Sequence, residues 1–157
     1  MGKFGNKPGS HFGKKVVIDG YKFDSQKEAK FYQSYLKNTN LNYTVHETFT
    51  VIPKQNLTQN VRLRSGIYTP DFVIRNSKGE LEHVIDLKNS FTQYGIDAAA
   101  QLRFKLFFQQ FGVPVEVVVP RAHSFLMKVM GTTKKFEPVE LKDLNYNIWE
   151  IIKDNVV

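Results

Sequence analysis

The chain has 157 residues, a formal net charge of +7 and a pI near 9.5, and it contains no cysteine. That length suits one domain with a substantial core, and the charge favours a polyanionic partner. The lack of cysteine excludes disulfides and thiolate metal sites. No apolar run has the length of a membrane span and no charged-then-apolar leader opens the chain, so the expectation is a soluble, cytoplasmic protein without a membrane partner.

Residues 1–15 hold Lys3, Lys7, Lys14 and Lys15, four glycines and no acid. They read as a flexible basic arm, with Lys14 and Lys15 as candidate phosphate contacts; a terminus without a role has the same composition. Residues 16–23 predict a short hairpin around Asp19-Gly20. Asp24-Ser25 opens a helix to about Lys37, whose Ala29, Tyr32, Tyr35 and Leu36 form an apolar stripe with Glu28 at its edge. Residues 41–52 alternate Tyr43, Val45, Glu47, Phe49 and Val51 as one strand. Residues 53–60, with Pro53 and Asn56, are a loop, and Arg62 and Arg64 precede the next strand.

Two β-rich runs follow, residues 68–74 and 84–88, around the turn cluster Asn76-Ser77-Lys78-Gly79. They predict a hairpin. Each run carries an aspartate, Asp71 or Asp86, in an apolar setting where a charge needs a partner. Period-2 alternation puts Asp86 and Lys88 on one face. A loop of two or four residues places Asp71 opposite or diagonal to Asp86 on that face, diagonal neighbours being about 7–8 Å apart. A loop of odd length separates them. Two carboxylates and an ammonium group at one spot suit a hard cation and a water. A surface hairpin with a charged outer face explains Glu80 and Glu82 but not Asp86, since aspartate is disfavoured in strands. His83 has the opposite parity and is expected to point away, and His11, His46, His83 and His123 lack metal-ligand spacing.

Residues 89–95 form a polar connection placed to lie over a substrate. Residues 96–111 predict a helix with Ala99, Leu102, Leu106 and Phe107 inward and with Arg103 and Lys105 as candidate phosphate contacts; Gly112 and Pro114 stop it. Residues 115–119 read as an apolar run, the mark of a strand buried on both faces. In residues 141–157, Leu144, Ile148, Trp149, Ile151 and Ile152 have helical spacing, for a C-terminal helix that packs on the core or forms a dimer. Together these elements predict an α/β architecture, a mixed β-sheet flanked by helices, as a single domain over residues 16–157.

The order of a helix with Glu28, a strand with Pro70-Asp71, a turn, a strand with Asp86-Leu87-Lys88 and a second helix resembles the PD-(D/E)xK nuclease superfamily. Lys3-Phe4-Gly5-Asn6-Lys7 and residues 17–25 look like a phage-encoded branch of it, and phage junction-resolving endonucleases have a similar order of motifs. The resemblance spans roughly residues 3–120. It implies a restriction-endonuclease-like core and metal-dependent cleavage of DNA, with Holliday junctions or other branched DNA as substrate. It further implies Mg²⁺, for which Mn²⁺ can substitute, with Asp71, Asp86, Glu28 and Leu87 as metal-binding positions and no organic cofactor. Lys88 would orient the attacking water or stabilise developing charge. Symmetric cleavage of two strands implies a homodimer, and a phage enzyme works in the host cell cytoplasm. Arg62, Arg64 and Arg75 flank the hairpin where a backbone-tracking groove would need them.

Other readings stand beside these. Ser25-Gln26-Lys27-Glu28 is a capping box that accounts for Glu28 by itself. A surface ion pair of Lys88 with Asp86 is worth under about 1 kcal/mol. Gln101 and Lys105 stand where some relatives carry glutamine and tyrosine, and Lys105 does not inherit the tyrosine's role. A nickase, an exonuclease, a restriction-like nuclease and a non-catalytic DNA-binding protein share the same motifs.

Overall fold

The computed structural model describes residues 15–92 and 94–156. Of the basic arm expected at residues 1–15, all but Lys15 lies outside them. Val16–Ile18 (β1) and Tyr21–Phe23 (β2) pair antiparallel around Asp19 and Gly20, at φ 52° and 82°. Two successive left-handed residues make the turn whose twist matches the strands. Ser25 then caps helix α1 (Gln26–Phe31), its Oγ accepting from Glu28 N at 3.2 Å. The helical stretch ends at Leu36, close to expectation, but Tyr32–Leu36 is wound as a π-helix that closes with Lys37 N bonded to Tyr32 O at 2.8 Å. This wider turn accompanies a cluster of aromatic rings: Tyr32 packs edge-on against Tyr21 and Tyr43, and its hydroxyl donates to Asp19 Oδ2 at 2.8 Å.

The single strand expected over residues 41–52 is two strands. Asn42–Val45 (β3) and Phe49–Ile52 (β4) are separated by His46, whose φ of 53° breaks the extended chain. The His46 amide donates to Asp71 O at 3.1 Å, and that contact holds the kink. Beyond β4, the expected loop contains Gln55–Asn56 (β5), which pairs with Arg62–Leu63 (β6), and Gly66–Tyr68 (β7) returns along β4.

The main sheet adds Phe72–Arg75 (β8), Leu81–Leu87 (β9), Val115–Pro120 (β10), Phe125–Lys128 (β11) and Val139–Leu141 (β12), in the order β12-β11-β10-β9-β8-β3. Only β9 and β10 run parallel, joined through helix α2 (Ala98–Phe111), so the sheet is mixed as expected. Phe23, Phe31, Phe72, Ile85 and Phe125 fill the face toward α1, while Phe49, Val73, Val84, Phe104 and Phe107 fill the face toward α2. Alternation along β8 and β9 divides these side chains between the two faces.

Helix α2 starts two residues later than expected because Asp97 caps it, accepting from Ala100 N at 2.7 Å; Gly112, at φ 72°, stops it as expected. Its buried face is Ala100, Phe104 and Phe107 with Leu106 partly covered, whereas Ala99 and Leu102 are exposed. Edge contacts of Phe104 and Phe107 with Tyr68 and Phe49 select that face. Helix α3 (Ile148–Asn155) buries Ile148 and leaves Trp149 half exposed. No helix among the described residues is long and apolar enough to cross a membrane.

Strand β10 is buried on both faces, but Glu116 interrupts its valines. Its carboxylate bonds His83 Nδ1 at 2.8 Å and accepts from the Tyr146 hydroxyl, all three groups facing α1's side of the sheet. Burial disfavours the His83 imidazolium, yet Glu116, with smaller help from Glu82 and the Leu144 backbone, turns the net pKa direction up. Removing one member of a buried pair leaves the other uncompensated. Glu116→Ala should therefore lower the unfolding free energy by about 3–5 kcal/mol in urea titrations, and Glu116→Gln, which keeps an acceptor for Tyr146, by less.

Candidate functional site

The site grows from the β8–β9 hairpin. Phe72 pairs with Ile85, Val73 with Val84 and Ile74 with His83, after which Arg75 pairs with Leu81. Residues 76–80 thus form a connection of odd length, which alone would send the aspartates to opposite faces. Glu82 is left over as a bulge and restores the alternation. The turn is organised by Asn76 Oδ1, which accepts from Lys78 N at 2.9 Å and Glu80 N at 3.0 Å. Asp71 and Asp86 consequently face the same cleft, and His83 points to the opposite face as expected.

Asp86 is buried. Its Oδ1 lies 2.9 Å from Lys88 Nζ and its Oδ2 accepts from the Tyr68 hydroxyl at 2.7 Å. Asp71, just ahead of β8, accepts at Oδ2 from Leu87 N at 2.6 Å. Leu87 thereby meets the site through its backbone. Glu28 enters from α1, also buried, with Oε2 accepting from Asp24 N at 3.0 Å and lying 3.1 Å from His46 Nε2. The capping role is real, although the carboxylate reaches the amide one residue before the cap, and it uses one oxygen of the two. Glu28, Asp71, Asp86, Leu87 and Lys88 line one open cleft of about 370 Å³, together with Tyr68, Thr69 and Arg103.

The other expected contacts fall elsewhere. Lys105 lines a separate groove with Phe108 and Trp149. Arg62 and Arg64 are exposed at the β5–β6 hairpin, Lys15 is exposed ahead of β1, and Lys14 lies outside the described residues. Arg75 is committed to Glu47, with both contacts at 2.7 Å.

Crowding sets the electrostatics. Burial, followed by repulsion from Asp86 and Glu28, pushes the Asp71 carboxyl well above the usual range against the opposing Leu87 N–H. Burial and the neighbouring Asp86 push the Tyr68 phenol up as well. Lys88 and Arg103 are the cations that line the cleft among the described residues. Glu28, Asp71 and Asp86 repel one another in the cleft and offer oxygens, the donor type that suits a hard divalent cation, although their ligand atoms do not all come within 4.8 Å of one another. His46 adds a nitrogen beside Glu28 and Asp24, with ligand atoms of the three within 4.8 Å of one another.

Two residues at the site were not identified from the sequence. Tyr68 stands next to Thr69-Pro70-Asp71, and a buried tyrosine needs a partner for its hydroxyl, so a signal existed. His46 had none, because only the tertiary fold brings it to Glu28.

In EDTA the folded chain holds a proton on Asp71 at pH values where the unfolded chain, titrating near about 3.9, has released it. Fewer protons in the unfolded state mean that stability falls as pH rises. The contribution is largest below about pH 4 and declines through the raised folded value, by up to about 1.4 kcal/mol per pH unit. Urea titrations across pH should show this slope in the wild type and a flatter one in Asp71→Asn.

Among known proteins, residues 10–121 match the family described as Protein of unknown function (DUF1064), a span that takes in β1 to β10 and every residue of the cleft. No curated protein and no solved structure matches the chain. The match covers well over half of the sequence, and the chain belongs to the DUF1064 family.

Proposed function

We propose that the chain is a divalent-metal-dependent endodeoxyribonuclease of the PD-(D/E)xK type, with branched recombination intermediates such as Holliday junctions as its substrate. One observation carries this reading: Glu28, Asp71, Asp86 and Lys88, spread over 61 positions of sequence, line a single polar cleft. Glu28, Asp71 and Asp86 would hold Mg²⁺, or Mn²⁺ in its place, which would supply an acidified water and neutralise charge on the leaving oxygen.

The chain's own residues do the positioning. Asp71, Asp86 and Glu28 present oxygens to the cation, and Leu87 fixes Asp71 through its amide. Tyr68 and Lys88 hold the two oxygens of Asp86 in one rotamer. His46 and the Asp24 amide hold one oxygen of Glu28, Oε2, and leave the other for the cation. Lys88, part-exposed beside Asp86, orients a water and stabilises the charge that develops at phosphorus. Arg103 lines the same cleft from α2, where it pairs with a substrate phosphate. A junction offers two equivalent strands, so this substrate calls for a homodimer with two sites, acting in the cytoplasm, that of the host cell for a phage-encoded chain. The net charge of +7 suits a DNA partner.

The test is cleavage of a four-way junction, a Y-fork, linear duplex and single-stranded DNA by the purified protein, with Mg²⁺ and with EDTA. Metal-dependent paired nicks confined to the junction are expected. Asp86→Ala should abolish them while DNA binding persists, and Lys88→Ala should slow them by about 10²–10³-fold. Cutting of all four substrates would remove the branch preference, and no cutting with Mg²⁺ or Mn²⁺ alongside tight binding would reject the enzyme. The two roles of Glu28 separate in the same assay. Ser25→Ala should cost about 1 kcal/mol of stability with cleavage intact, and Glu28→Gln should lose cleavage with little change in Tm.

A further inference from the structure

Residues 48–70 contain no acid, and Lys54, Arg62 and Arg64 make them positive. The segment leaves the body as β4, continues into the β5–β6 hairpin and returns as β7, with every residue from 52 to 64 exposed. Gln55 pairs with Leu63 and Asn56 with Arg62. Alternation therefore gives the hairpin two unlike faces. Asn56 and Arg62 share one, with Arg64 in step beyond the strand, while Gln55 and Leu63 share the other, which the Leu57 N–Val61 O bond of 2.9 Å extends; Leu57, Val61 and Leu63 are 59%, 54% and 53% exposed. A two-stranded ribbon with nothing packed on it is marginal in water, and exposed apolar side chains in a row mark a contact surface.

The root of the ribbon is firm. Phe49 meets Phe107 and Phe111 with ring centroids 5.1 Å apart in each case, and Tyr68 meets Phe104 and Phe107 at 5.8 Å. Ile67, Tyr68 and Thr69, at the same root, line the cleft. The stem that carries the ribbon is therefore part of the cleft wall.

We propose that the β5–β6 ribbon enters the major groove of the DNA duplex held in the cleft, an inference that rests on the nuclease reading. Two strands about 4.8 Å apart fit a groove about 12 Å wide, which admits such ribbons. Asn56 and Arg62 present the amide and guanidinium forks that read adenine and guanine edges, and Arg64 reaches a phosphate. The Leu57–Leu63 face lies against thymine methyls and sugars. Charge favours DNA over a second copy as the occupant, because two chains of net charge +7 repel each other overall whereas a phosphate backbone attracts the acid-free ribbon.

The experiment is fluorescence anisotropy in EDTA with end-labelled blunt duplex and single strand, across a range of salt, using the full chain. Arg62→Ala/Arg64→Ala should weaken duplex binding by about 10–100-fold and lower the salt slope by roughly 1, the share of the Arg64 phosphate contact, with single-strand binding and Tm unchanged. Leu57→Ser/Leu63→Ser should also weaken duplex binding. Unchanged duplex affinity in both double variants overturns the proposal. So does conversion of a dimer to a monomer by Leu57→Ser/Leu63→Ser in sedimentation equilibrium with duplex affinity intact, which assigns that face to a second copy. Hydrolysis of bis(p-nitrophenyl) phosphate with Mn²⁺ tests the cleft without the ribbon. Hydrolysis with ribbon-independent binding defeats the ribbon alone, and ribbon-dependent binding with no hydrolysis of the ester or of DNA defeats the nuclease reading alone.

Discussion

Repulsion among Glu28, Asp71 and Asp86 is the constraint around which this fold is arranged. Three carboxylates beside one cleft oppose folding unless each is held from outside, and each is held by a different part of the chain. A backbone amide of β9 grips Asp71, a tyrosine from β7 and the lysine after β9 grip Asp86, and the α1 cap with His46 grips Glu28. Those grips tie both faces of the sheet to one point at the ends of its inner strands β8 and β9. Asp86 lies on the face covered by α2, whereas Glu28 arrives on the helix that covers the other.

His46 shows how closely scaffold and site are joined. Its left-handed backbone ends β3, its amide bonds the carbonyl of Asp71 and its ring meets Glu28. The kink that removes β4 from the main sheet thus also sets the spacing of two acids contributed by distant segments. A substitution that relieved the backbone at this position would cost registration of the acids before it cost the sheet.

What could be read from the sequence was what local chemistry determines. Asp19-Gly20, the Asn76–Gly79 cluster and Gly112 act within a few residues of themselves, and the turns and helix stop appeared where they imply. Parity along one strand placed Asp86 with Lys88 without knowledge of any other element. Parity across the hairpin was less secure, because the five-residue connection needed the bulge at Glu82 to bring Asp71 back to that face. Features decided at a distance were not legible. The π winding at Tyr32 answers to a ring cluster drawn from three segments. Leu102 satisfies helical periodicity as well as Phe104 does, and only the aromatic root of β4 and β7 chooses between them. Strands β11 and β12 are short and amid turns, so the sheet rather than their own pattern defines them.

Tyr68 has a ring in the aromatic root and a hydroxyl on Asp86. Both ends belong to one rigid group, with no rotatable bond between them except that of the hydroxyl hydrogen. Tilting the β4–β7 stem on its seat must therefore swing the donor across the carboxylate. The stem is a lever whose long arm is the β5–β6 hairpin and whose short arm ends on Asp86, so bending forces on the outer strands are converted into a change of field at the floor of the cleft.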